Sequence, residues 1–207
     1  CVAGLSAGCV AGFAAYHLFS HVRVRVMAWS DPWSCIDKEG YQVAQSLFAI
    51  GTGGFLGMGL YKGMPKSVPL VEQDFMFSAI SEELGGFFGI CLIVLFISCF
   101  ICFIKLSMKQ EVLFYKLTGL GLAVTYAVQT ILTVGGAIKF IPSTGVTLPL
   151  ISYGGSSVLC TMIMFAIFQG LSCKYAEDER IKEEEMAMEA EDGRKRKVKK
   201  EKKKQKK

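Results

Sequence analysis

Apolar residues in this chain fall into long runs that short polar segments separate. Three runs, at 87–104, 117–138 and 149–171, approach or exceed the roughly 20 residues that a helix needs to cross a bilayer. Residues 1–20 form a further apolar run of that length. The pattern therefore predicts an all-α polytopic membrane protein with about four transmembrane helices in this chain.

The stretch 40–60 is long enough to cross a bilayer, but it carries Gln42, Gln45 and five glycines between residues 51 and 59. Such a glycine density disfavours a free-standing helix. The sequence favours a short helix followed by a glycine-rich turn that is only partly embedded, and leaves a full crossing open. The helix-breaking Asp31-Pro32 pair upstream predicts a loop over 21–39. Without a crossing at 40–60, residues 21–75 would form one large loop containing short or re-entrant helices.

Three acids, Asp74, Glu82 and Glu83, directly precede the apolar run at 87–104. Asp74, Ser78 and Glu82 have the spacing of one helical face. Acidic residues at the entrance of a membrane helix are costly, so they are candidates for a functional site. At a helix start, the helix dipole would favour the ionised form of Asp74.

Charge is concentrated at the C-terminal end. Of 23 Lys and Arg residues, 14 lie at or after Lys174, together with ten of the 18 acids. We predict that 173–207 is a charged cytoplasmic tail, with a solvated or amphipathic helix over 177–192 and disorder beyond it. Its basic residues would bind anionic lipid headgroups, or would only determine the orientation of the protein in the membrane. Membrane spans beside a basic tail do not suit a soluble nucleic-acid-binding protein.

A cytoplasmic tail fixes the orientation of the predicted spans. Counting back from the tail puts Asp74 at the outer face, and Arg23 and Arg25 join it there if 40–60 does not cross. These arginines are either helix-end anchors or a phosphate-binding pair, since Arg binds phosphate with bidentate geometry. The spacing alone supports both interpretations.

One segment, residues 141–157, closely resembles a family signature: it reads IPSTGVTLPLISYGGSS. It is similar to the signature of the bacterial shape, elongation, division and sporulation (SEDS) family, which includes FtsW, RodA and SpoVE. Further blocks agree in order: Arg23-Val-Arg25 with Asp31-Pro-Trp33, the segment 40–50 with the glycines after it, and 74–85. The resemblance covers residues 1–172 and leaves the tail outside.

The resemblance implies a fold of ten helices, of which this chain is the last four. It also implies a bacterial plasma-membrane peptidoglycan glycosyltransferase that polymerises lipid II, the undecaprenyl-linked disaccharide-pentapeptide. The implied protein partner is a class B penicillin-binding protein, the implied cofactor is a divalent cation, Mg²⁺ or Mn²⁺, and no nucleic acid is involved.

Roles for individual residues follow from the same resemblance. Asp74 matches the family's essential aspartate and would be the general base of an inverting displacement, while Arg23 and Arg25 would hold the lipid pyrophosphate. Glu82 and Glu83 would line the cavity or cap neighbouring helices. The other candidate substrate-binding residues are Gln42, Gln45, Glu72, Ser152, Tyr153, Gly154, Gly155, Ser156 and Ser157.

The residues before Asp74 depart from a pattern common in division-type members. Many of those read Pro-Glu-x-x-Thr-Asp there, whereas this chain has Glu72 and Gln73 before Asp74. The departure keeps the aspartate but leaves a role in division, elongation or sporulation open. Two other functions also stay open, a lipid II flippase and a non-catalytic scaffold for the penicillin-binding protein.

Overall fold

The structure, a computed structural model, describes residues 17–38, 40–64 and 67–204, with side chains through residue 190. Within these residues the regular structure is entirely helical. The helices are α1 (Ser20–Ser30), α2 (Tyr41–Gly53), α3 (Met76–Lys109), α4 (Leu113–Ala137) and α5 (Gly155–Lys204). The predicted fold class is confirmed.

Three of these helices are long and apolar enough to cross a membrane: Met76–Lys109, Leu113–Ala137 and the Gly155–Ala190 part of α5. The third starts six residues later than predicted, because Leu150 has a left-handed φ of 63° and Gly154 follows, which interrupts a helix from Pro149. The fourth predicted span, at 1–20, lies almost wholly outside the described residues. Helix α2 has 13 residues, or about 20 Å, which confirms a short helix rather than a crossing.

Aromatic side chains join the three spanning helices in one core. Phe103 of α3 stacks on Phe168 of α5, with ring centroids 3.9 Å apart and planes 5° apart. The Phe103 ring also packs edge-on against the Tyr126 ring of α4, with centroids 5.4 Å apart. Consecutive spans alternate in direction, so the start of α3, the end of α4 and the start of α5 lie at one end of the bundle, here called the Asp74 end. The α3–α4 turn and the rest of α5 lie at the other, the tail end.

Helix α3 begins at Met76, so Asp74 precedes it instead of lying on it. The predicted common helical face of Asp74, Ser78 and Glu82 is therefore wrong for Asp74. Residues 67–75 form a series of turns, in which the side chains of Val68 and Phe75 are almost completely buried. Ser78 and Glu82 do lie on α3 and are both buried.

Gly85 interrupts α3 with a φ of 89° and a ψ of 164°. A side chain there would place its Cβ 2.4 Å from the Phe55 carbonyl oxygen, so only glycine fits. The glycine-rich turn after α2 pairs with the interrupted helix, which satisfies backbone groups that the break releases. The bonds run from Met58 N to Glu82 O, Gly59 N to Glu83 O, Gly86 N to Gly54 O and Phe87 N to Phe55 O, at 2.9–3.1 Å.

Helix α5 runs for 50 residues through Lys204, which differs from the disorder predicted after residue 192. The segment after Gly193 is rich in Lys and Arg, which have high helix propensity. Residues 174–182 of α5 are held against the region where α3 ends and α4 begins by two ammonium–aromatic contacts and an ion pair. These are Lys109 over Tyr175 at 4.8 Å, Lys174 over Tyr115 at 5.0 Å, and Lys182 with Glu111.

Candidate active site

Asp74 lies at the end of the turns that lead into α3, and its side chain is partly buried. Its Oδ1 atom is inaccessible to solvent and has no hydrogen-bond partner among the residues that the structure describes. A buried carboxylate oxygen normally has a partner, so Oδ1 is an exception. The other carboxylate oxygen, Oδ2, is the one that lies near Gly145.

Arg25 approaches the same region from α1. Its Nη1 donates a hydrogen bond to the Ser143 carbonyl oxygen at 3.0 Å. Four residues further along α1, Trp29 donates from Nε1 to the Lys139 carbonyl oxygen at 3.1 Å. Two side chains of one helix face thus fix α1 against the segment that joins α4 to α5.

Gly145 lies next to both Asp74 and Arg25. Its φ is 73°, a left-handed conformation that glycine adopts without strain. A Cβ at this position would lie 3.7 Å from Arg25 Nη2 and 3.9 Å from Asp74 Oδ2. Asp74 and Arg25 are not among the ion pairs formed within 4.0 Å by the described side chains. Both charged groups therefore face a shared space.

That space is a cavity of about 430 Å³, which we call the Asp74 cavity. Charged and polar side chains meet apolar ones in its wall. The lining residues are Val24, Arg25, Ala28, Gln42, Val43, Leu70, Gln73, Asp74, Ser143 and Gly145. One carboxylate, one guanidinium and two side-chain amides in a partly apolar wall could accommodate a polar, phosphorylated ligand.

Burial raises the pKa of Asp74 above that of an ordinary aspartate. Its own backbone amide and the positive charge of Arg25 act in the opposite direction and lower this pKa. Burial is the largest of these effects. A carboxylate with a raised pKa is a stronger base, which suits proton abstraction from a hydroxyl group.

A second cavity of about 460 Å³ lies on the other side of the turn that carries Asp74. It contains five of the predicted binding residues: Glu72, Ser152, Tyr153, Gly154 and Gly155. The Tyr153 N–H donates to the Glu72 carbonyl oxygen at 2.7 Å, which ties the α5 entrance to the turn before Asp74. Eight predicted residues are thus divided between two cavities, three in the Asp74 cavity and five in this one.

Two serines of the 141–157 segment form internal hydrogen bonds. Ser152 is buried and its Oγ accepts from the Leu148 N–H at 2.9 Å. Ser157 Oγ contacts Thr147 Oγ1 at 2.6 Å and Gln129 Nε2 at 3.3 Å. These contacts hold the loop over α4 and α5. Ser156 is exposed at the first turn of α5.

Other predicted residues lie away from the Asp74 cavity. Arg23 is exposed and is not part of its wall, because residues two apart on a helix point in directions about 160° apart. Gln45 is partly buried but also lies outside this wall, unlike Gln42. Glu82 and Glu83 accept backbone N–H groups of Met64 and Tyr61 at 2.9 and 3.2 Å.

Seven wall residues were not predicted as site residues: Val24, Ala28, Val43, Leu70, Gln73, Ser143 and Gly145. Ser143 and Gly145 belong to the sequence Pro142-Ser-Thr-Gly145, whose proline and glycine are typical of a turn. The turn was visible in the sequence, but its approach to Arg25 depends on packing between distant helices.

No group of three or more His, Cys, Asp or Glu side chains that could hold a metal ion occurs in the part of the chain that the structure describes. A cage built only from these side chains is therefore not present there. Mg²⁺ is often bound through substrate phosphates with few protein ligands, which is the arrangement these residues would fit.

The sequence matches the family model described as a cell cycle protein, FTSW_RODA_SPOVE, over residues 2–176. The chain belongs to the FtsW/RodA/SpoVE family. Two relatives illustrate the similarity. Peptidoglycan glycosyltransferase RodA of Mycobacterium tuberculosis (strain ATCC 25618 / H37Rv) is 40% identical over 171 residues, which are 83% of this chain and 36% of that protein. Probable peptidoglycan glycosyltransferase FtsW of Tolumonas auensis is 39% identical over 173 residues, or 80% and 44%.

The fold of this FtsW/RodA/SpoVE family member also matches a solved chain described as "Structural coordination of polymerization and crosslinking by a peptidoglycan synthase complex". The TM-score is 0.63 at 24% identity, over 84% of this chain and 49% of the other. At this identity the match shows the fold alone. The chain spans well under half the length of the two relatives described above.

Proposed function

We propose that the protein containing this chain is a peptidoglycan glycosyltransferase that polymerises lipid II into glycan strands. The observation that carries the proposal is the Asp74 cavity, where a carboxylate with one unpartnered buried oxygen faces the same space as Arg25. Membership of the FtsW/RodA/SpoVE family and the names of the relatives support it.

In this mechanism Asp74 removes the proton from the 4-hydroxyl of the acceptor sugar. The resulting oxygen nucleophile attacks the anomeric carbon of the donor, and the bond to the lipid pyrophosphate breaks. The single displacement inverts the anomeric configuration. The proton ends on Asp74, which loses it to solvent before the next cycle.

Arg25 stabilises the negative charge that develops on the departing pyrophosphate. The bond to the Ser143 carbonyl uses only one of the five donors of its guanidinium, so others remain for phosphate oxygens. A divalent cation, Mg²⁺ or Mn²⁺, would be bound mainly by the pyrophosphate itself and would supply further charge neutralisation. Arg23 would contact the substrate outside the Asp74 cavity, as a second binding residue.

We propose a bacterial plasma-membrane protein with a cytoplasmic C-terminus, so that the Asp74 end faces outward. Lys105, Lys109, Lys116 and Lys174 support this orientation, because they flank the tail ends of the three spans. The proposed partner is a class B penicillin-binding protein that crosslinks the new strands.

The test is polymerisation of fluorescent lipid II by the full-length protein purified with its penicillin-binding partner. Asp74→Asn should remove the glycan ladder, while Asp37→Asn, which changes an exposed acid of the 32–38 turn, should keep it. Equal ladders from Asp74→Asn and the wild type would exclude Asp74 as the base. Lipid II translocation without any ladder would instead indicate a flippase, and neither activity would indicate a scaffold.

A further inference from the structure

The glycine-rich turn after α2 exposes a group of large apolar side chains. We call residues 54–64 the 54–64 loop. Phe55, Leu56, Leu60 and Tyr61 are 65%, 84%, 63% and 95% exposed. Clustered apolar side chains on one loop indicate a contact with a membrane or another molecule.

Backbone pairing fixes the level of this loop along the bundle. Its N–H and carbonyl groups bond to residues 82–87 of α3. The apolar run of this span begins at residue 87 and continues to residue 104. The 54–64 loop therefore lies where the hydrocarbon-spanning part of α3 ends, at the level of the boundary between acyl chains and headgroups.

The apolar surface of the loop continues onto the spanning helix. The Phe55 ring lies 5.7 Å from the Phe87 ring, measured between centroids. Phe87 is itself 55% exposed at the first position of the apolar run. The loop therefore extends the exposed apolar surface of this span.

The loop conformation is held by buried or partly buried carboxylates. Tyr61 has a left-handed φ of 64°, which is a strained conformation for a bulky residue. Glu83 accepts its N–H at 3.2 Å, and Glu82 accepts the Met64 N–H at 2.9 Å. A strained residue that side-chain hydrogen bonds maintain is a feature associated with function, and here it keeps an aromatic ring pointing outward.

We propose that the 54–64 loop is a membrane-interface anchor, a role separate from catalysis. Phe55, Leu56, Leu60 and Tyr61 insert at the boundary between acyl chains and headgroups, where amphipathic tyrosine is favoured. The exposed Lys62 extends its ammonium group to lipid phosphates. The anchor fixes the height of the Asp74 cavity above the bilayer, because the loop is bonded to residues 82–87 of α3 and Asp74 lies two residues before the start of the same helix.

The experiment places a new tryptophan in the loop of the full-length protein, in nanodiscs made with phospholipids brominated on their acyl chains. Tyr61→Trp and Leu56→Trp replace side chains that make little packing contact, and the second carries the test if the first does not fold. The wild type provides the signal of the native tryptophans, which include Trp29 and Trp33, for subtraction. Glu185→Trp, on the exposed part of α5, is the aqueous control.

We expect brominated lipid to lower the added loop fluorescence at least about two-fold and aqueous iodide to have little effect, as for an interfacial aromatic residue. The Glu185→Trp signal should show the opposite behaviour. Loop fluorescence that iodide quenches and brominated lipid does not would overturn the proposal in favour of a solvated loop. Protection from both quenchers would also overturn it, since another part of the protein or a partner would then cover the loop.

Discussion

Asp74 and Arg25 both lie next to one glycine, Gly145, and do not form an ion pair with each other. A Cβ at Gly145 would be within 4 Å of both charged groups. Arg25 instead bonds to the Ser143 carbonyl, and its charge lowers the pKa of Asp74 less than burial raises it. The carboxylate therefore stays more basic than an ordinary aspartate.

Asp74→Asn should abolish polymerisation, because an amide cannot accept the hydroxyl proton. Removal of a general base lowers the rate roughly 10²–10⁴-fold. Glycan ladders from fluorescent lipid II provide the measurement, and unchanged elution of the protein with its partner shows that folding is retained. A residual rate within a few-fold of the wild type would disprove the role.

The pH dependence should reveal the raised pKa of Asp74. Since the base acts as the carboxylate, polymerisation falls as the pH drops through this pKa. The charge of Arg25 lowers the pKa of Asp74, so Arg25→Gln should move the acidic limb of the pH–rate profile to higher pH. Arg23→Gln, two residues away and outside the cavity wall, should leave the limb in place. Equal shifts in both variants would indicate a general charge effect.

Gly145→Ala should damage the site more than the fold. The contacts of the added methyl group, at 3.7–3.9 Å, are ordinary van der Waals distances. The left-handed φ of 73° costs a residue with a Cβ about 1–2 kcal/mol. We expect reduced polymerisation with a modest loss of thermal stability. Gly51→Ala, in the last turn of α2 with no atom within 4 Å, should leave both properties near the wild type, and an equal loss there would contradict the explanation.

Ser46→Ala should destabilise the bundle. Ser46 Oγ donates to the Ala137 carbonyl oxygen at 2.8 Å and contacts Ser78 Oγ at 2.5 Å, which joins α2, α3 and α4. The substitution leaves two buried polar groups unsatisfied, at about 1–3 kcal/mol each. Thermal unfolding in detergent measures the loss. Thr52→Ala removes a partly exposed hydroxyl that bonds only within its own helix, and its midpoint should change little.

Three spans could be predicted from the sequence, because long apolar runs are local signals. Asp74 stood out as an acid before the first of these runs, and its catalytic role stays a prediction. The arrangement around Asp74 could not be predicted in the same way. Arg23 and Arg25 have identical chemistry, and only the orientation of α1 places Arg25 in the cavity. Ser143 contributes a backbone carbonyl to the site, which side-chain chemistry does not reveal. The predicted roles of the individual binding residues remain predictions.

The break at Gly85 also changes how α3 would respond to the thickness of the bilayer. A span that is longer than the hydrocarbon layer tilts to match it. The 54–64 loop is bonded to α3 on both sides of the break, to Glu82 and Glu83 before it and to Gly86 and Phe87 after it. A tilt of the apolar part of α3 would therefore move the loop with it, so a change in bilayer thickness would reach both flanks of the break together.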